Sequence, residues 1–117
     1  MSRLLPPDHS KGDEGTIGGY AAVHARPAAF EGRDGFSYSV EILADAVPEG
    51  FGAFFLFVRW KKFGAQGVAD HLESGFLATA ADRDQAKRSL GAMRVEDVQC
   101  VLDALIAARD AATEGGE

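Results

Sequence analysis

The run FGAFFLFV, Phe51 to Val58, restricts the fold more than any other part of the chain. Successive side chains of a strand point to opposite faces. Phe55 and Phe57 therefore face one way, and Phe54, Leu56 and Val58 the other. A strand that is apolar on both faces is normally covered on both faces. A basic-aromatic end, RWKKF, follows at once. Phe51 to Gly64 holds five of the eight Phe, the single Trp and three of the twelve Lys and Arg.

Strand patterns surround this run. FSYSVEILAD, from Phe36, alternates cleanly, with Phe36, Tyr38, Val40, Ile42 and Ala44 on one face. Upstream, Thr16 to Phe30 (TIGGYAAVHARPAAF) alternates Tyr20, Ala22, His24 and Arg26 against Ala21, Val23 and Ala25. It reads as a first strand that bends, or lies on a sheet edge, at Pro27. VADHLESGFLA, residues 68–78, reads as a fourth strand. EGRDG, VPEG and GAQG supply short links that favour antiparallel neighbours. Helical patterns come last. Thr79 and Asp82 suggest a capping box for a short polar helix over residues 81–90, stopped by Gly91. Val95, Val98, Val101, Leu102, Leu105 and Ile106 form one stripe of a longer amphipathic helix. The expected class is α+β: a four-stranded antiparallel meander followed by a short helix and a C-terminal amphipathic helix packed on the sheet.

With 117 residues the chain is expected to form one domain over 17–109. A mobile arm over 1–16 and an acidic tail over 110–117 flank it. The net charge of −6 does not suit a dedicated duplex-DNA binder. No apolar run approaches the ~18 residues that would span a bilayer, so no membrane role is expected. The opening MSRLLPPDHSKGDEG has no apolar signal region. The single Cys100 fits a reducing compartment, and a cytoplasmic protein is the expectation.

The long helix can cover one face of the sheet, and the short helix is too polar to cover the other. A second copy of the chain is the expected cover, which makes the protein a homodimer; Leu4 and Leu5 of the arm are the alternative. Leaving two or three such side chains in water would forfeit several kcal/mol, at about 1.5–3 kcal/mol each.

The candidate ligand-binding residues are Arg59, Trp60, Lys61, Lys62 and Phe63, joined by His71 and Glu73 if their face is open. Cations beside aromatic rings suit an acidic or carboxylate-ended peptide. The first functional expectation is a non-enzymatic binding or accessory protein that recognises a peptide or protein segment by strand addition at a sheet edge. The alternative is a single-stranded nucleic-acid binder in which bases stack on the RWKKF end. A second alternative is a small enzyme built on His24, His71 and Glu73. No cofactor and no metal is expected. His71 and Glu73 have no CxxC or HExxH beside them, and no Walker, dinucleotide or G-x-S-x-G pattern occurs. GTIGGY leads into an expected strand, where a phosphate cradle needs a helix. Cys100, mid-helix and without a His signature, is expected to be a packing residue.

Overall fold

A computed structural model of the chain describes residues 12–60 and 68–115. Its elements are α1 (Ile17–His24), β1 (Ala29–Glu31), β2 (Ser37–Val47), β3 (Gly50–Trp60), β4 (Val68–Glu73), β5 (Ala78–Ala80), α2 (Arg83–Gly91) and α3 (Val95–Gly115). The strands β1 to β4 form the expected antiparallel meander, in the order β1-β2-β3-β4, and β5 also pairs with β3. The short and long helices follow and pack on it. Val40, Ala44, Phe55 and Phe57 of the sheet meet Ala86 and Leu90 of α2 and Val98, Leu102 and Ile106 of α3 in one core. Val95, Val101 and Leu105 of the predicted stripe pack against that core from its margin.

β2 and β3 are the frame. They pair in unbroken register from Tyr38↔Arg59 to Val47↔Gly50, closed by the two-residue turn Pro48–Glu49. Gly50 has φ +146, and a Cβ there would collide with the Ala80 carbonyl oxygen, so both conformation and space call for glycine.

Three local expectations are corrected. The segment read as a first strand is mostly the helix α1, and only Ala29–Glu31 is strand. Its Ala and Gly side chains alternate as readily as they wind, so the period carries little information. Capping decides the outcome. Thr16 Oγ1 accepts from the Gly19 amide at 3.0 Å, and Ile17 N donates to Met93 O at 2.8 Å, tying the first turn to the entry of α3. Gly18 then lets α1 approach α2 closely, because a Cβ there would lie 3.1 Å from Gly91 Cα. The expected fourth strand is two strands, β4 and β5, parted by Ser74–Leu77. In the third correction, Asp82 alone caps α2, its carboxylate accepting from Gln85 N at 2.8 Å, while Thr79 belongs to β5. Gly91 is the last residue of α2, and Ala92 follows in right-handed helical conformation.

α1 ends on Ala25, a non-glycine residue at φ 55 whose N–H donates to Ala21 O. The left-handed region is costly for a side chain with a Cβ. Ala25→Gly is therefore expected to raise unfolding free energy by about 0.5–1 kcal/mol, read from the urea midpoint at unchanged m-value.

Cys100, expected to pack, is exposed. α3 continues to Gly115, beyond the expected domain boundary at residue 109. Among the described residues no helix is long and apolar enough to cross a membrane. Leu4, Leu5 and the GAQG link lie outside the described residues.

Candidate functional site

The helices α2 and α3 deliver their buried side chains to one face of the sheet, and alternation sends the opposite set of strand residues to the other. That second face can be read row by row from the register. Leu43 stands beside Phe54; Glu41, Leu56 and Glu73 form one row; Ser39, Val58 and His71 form the next. Trp60 lies beyond them, with Asp45 and Gly52 at the far end.

The loop between β4 and β5 folds over part of this face. Ser74 N donates to Phe55 O at 3.0 Å, Phe55 N donates to Ser74 Oγ at 2.9 Å, and Leu77 N donates to Ala53 O at 2.8 Å. These bonds keep the chain on β3 while Phe76 is carried across it. The Phe76 ring meets Phe54 edge-on at 5.7 Å. A Cβ on Gly52 would lie 2.7 Å from Phe76 Cδ1, so the ring rests on bare backbone. Phe54 is thereby 8% exposed, whereas Phe76 is 51%, Leu77 45% and Trp60 42% exposed. A cleft of about 200 Å³ opens among Asp45, Phe54, Glu73, Ser74, Gly75 and Phe76. Leu43, Leu56 and Val58 remain partly exposed between cleft and indole. The charged side chains described on this face are acidic: Glu41, Asp45 and Glu73, with His71 beside them.

The residues expected to bind ligand fall into three groups. Trp60, His71 and Glu73 come together on the open face, and the Trp60 indole N–H donates to Ser39 Oγ at 3.1 Å. Arg59 turns to the helical side. Lys61, Lys62 and Phe63 lie outside the described residues. His24 ends α1, its Nε2 2.7 Å from Glu14 Oε1. Among the described residues no group of His, Cys, Asp or Glu could hold a metal ion.

Arg59 belongs to an ionic cluster that periodicity did not reveal, since it joins a turn, three strands and α3. Asp34 Oδ2 accepts from Tyr38 OH at 2.7 Å and from Arg109 Nη2 at 3.2 Å, with Arg59 Nη1 at 3.5 Å. Asp70 Oδ2 lies 3.5 Å from Arg109 Nη1 and 3.9 Å from Arg59 Nη2. The Arg59 guanidinium stacks 4.3 Å from the Phe36 ring centroid. Burial by itself would raise the Asp34 carboxyl. The hydrogen bonds from Tyr38, Phe36 N and Arg109, with the Arg109 charge, outweigh it and hold the group below its ordinary value. Burial, then the bond to Asp34 and its charge, push the Tyr38 phenol up to about 12. The cluster knits the fold; its tyrosine is fully buried and offers no surface.

Single backbone groups on the sheet edges are also taken. Because Phe55 O accepts from Ser74 N, the odd residues of β3 turn their backbone groups toward β4, and on β4 His71 and Glu73 turn theirs outward. The outward N–H of His71 is taken by Asp70 Oδ1 at 2.8 Å. On β1, Glu31 O accepts from Gln99 Nε2 of α3 at 3.1 Å. Arg83 donates to Ala44 O on β2 beyond the end of β1. Such plugs discourage strand-to-strand association.

No family model, no curated protein and no solved structure matches the chain.

Proposed function

We propose that the protein is a non-enzymatic binding protein that works as a homodimer, joined through the open sheet face. One observation carries this reading: Leu43, Phe54, Leu56, Val58, Trp60 and Phe76 make a continuous apolar strip on the side of the sheet opposite the core. Contiguous strips of this kind mark association surfaces. The edges suit a partner less well, because Asp70, Gln99 and Arg83 already occupy backbone groups that an added strand would need. Single-stranded nucleic acid suits the described part of the face poorly, since Glu41, Asp45 and Glu73 would meet its phosphates. With the sheet faces joined, the helical layer is what such a dimer presents to a peptide or protein partner.

Leu56→Glu tests the reading at the centre of the strip. The wild-type chain is expected to sediment with the mass of two chains, and the variant with the mass of one, at unchanged far-ultraviolet circular dichroism. A wild-type protein that stays monomeric into the high-micromolar range would remove self-association from the proposal.

A further inference from the structure

The open face has a charge pattern that disfavours some ways of joining two copies and suits another. This step rests on the face-to-face reading above and adds its geometry. Successive face positions of β3 are Gly52, Phe54, Leu56, Val58 and Trp60. The row of Leu56 carries Glu41 and Glu73 at its flanks; the row of Val58 carries Ser39 and His71.

Three two-fold axes place these rows differently. An axis along the strands lays β2 over β4 of the other copy, row on like row, and sets Glu41 against Glu73 twice. An axis across the strands at Leu56 sets Glu41 against Glu41 and Glu73 against Glu73. Like charges facing each other across an interface are costly. An axis across the strands at Phe57 exchanges the row of Leu56 with that of Val58. Glu73 then meets His71, Glu41 meets Ser39, and Leu56 meets Val58. The same operation exchanges position 54 with position 60, bringing Trp60 over Phe54, where Phe76 and the backbone at Gly75 form the cleft of about 200 Å³.

We infer that two copies pack face to face about an axis crossing β3 at Phe57, with Trp60 of each copy seated in the Phe54–Phe76 cleft of the other. The arrangement is isologous and closed, each copy offering one exposed indole and one recess. The two aromatic contacts lie about 20 Å apart, six residues of strand. The hydrogen bond from Trp60 to Ser39 fixes the indole before association, and aromatic anchors entering recesses carry much of the energy of such interfaces.

Trp60, the only tryptophan, is the probe. Its emission should shift to the blue as dilution is reversed and the sedimentation mass rises from one chain to two. Phe76→Ala should raise the dimer dissociation constant by about 30-fold, the effect of a strong hot spot. His71→Glu and Glu73→Arg should each weaken self-association. Mixed one to one, the two variants should associate more tightly than either alone, because the introduced glutamate then faces the introduced arginine while Glu73 faces His71 as in the wild type. A dimer that Leu56→Glu abolishes, but whose Trp60 emission does not move and whose variants show no preference on mixing, would overturn this axis and leave the face reading standing. A wild-type chain that does not associate would overturn both.

Discussion

Asp34→Ala should cost about 3 kcal/mol of folding stability, at the lower end of the loss expected when one member of a buried ion pair is removed. The side chain is 13% exposed, against 20% for Arg59 and 25% for Arg109, so little solvent is at hand to take its place. Removing it leaves Tyr38 OH without that acceptor and takes the nearer carboxylate from two guanidinium groups, which keep Asp70, with Asp110 Oδ1 3.6 Å from Arg109 Nε. It also removes the bond from Phe36 N to Asp34 Oδ1, 3.1 Å, which shapes the β1–β2 turn. Asp34→Asn keeps an acceptor for that turn and loses the charge, so it should fall between alanine and wild type. Urea titration of the three proteins gives the order directly; equal midpoints would show that the cluster contributes nothing net.

The same cluster sets a pH window. Asp34 titrates below its ordinary value in the fold, so its contribution is present above the unfolded carboxyl value near 4 and is lost as pH falls through the folded one. Tyr38 is raised to about 12, so the fold favours its neutral form. That contribution is complete below the unfolded value of about 10 and is lost as pH climbs from there toward 12. The cluster's contribution to stability against urea is therefore expected to be level between these limits and to drop on both sides, its alkaline part disappearing in Tyr38→Phe.

Phe57→Ala should cost about 3–5 kcal/mol, the range for truncating a buried phenylalanine. Phe57 is fully buried, with its ring centroid 5.7 Å from that of Phe55. It lies in the middle strand, between β2 and β4, where neighbours on both sides hold the backbone and resist collapse into the space. For a chain of this size the loss approaches the lower end of a normal stability. Leu56→Glu, one residue earlier and on the other face, should by contrast leave the monomer folded. A Phe57→Ala protein with a near wild-type midpoint would mean that the helical side of the sheet is not the main core.

The contrast between those adjacent residues was already visible in FGAFFLFV, because alternation reports faces and the paired strands are long. β2, β3 and the stripe of α3 were legible for that reason: strong apolar periodicity survives any tertiary setting. α1 was not. Half of Tyr20 to Ala25 is alanine, which marks no face, and the deciding interactions are Thr16 with Gly19 and Ile17 with Met93, the latter distant in sequence. The site divides in the same way. Trp60, His71 and Glu73 share a face because strand parity requires it, whereas Phe76 reaches that face only through the excursion held by Ser74 and Leu77. The Ser74–Gly75 pair was the available signal for it. Arg59, a candidate binding cation by its local pattern, sits in an ionic cluster whose other members, Asp34, Asp70 and Arg109, no local pattern connects.

Asp70 gives one carboxylate two duties. One oxygen steadies Arg59 and Arg109 inside the molecule; the other closes a backbone donor on the rim of the sheet. Internal cohesion and good manners toward neighbouring molecules are thus wired to a single side chain. A substitution there would weaken the Arg59–Arg109 cluster and free the His71 amide on the β4 rim at the same moment, so that one change would act on folding and on edge exposure together.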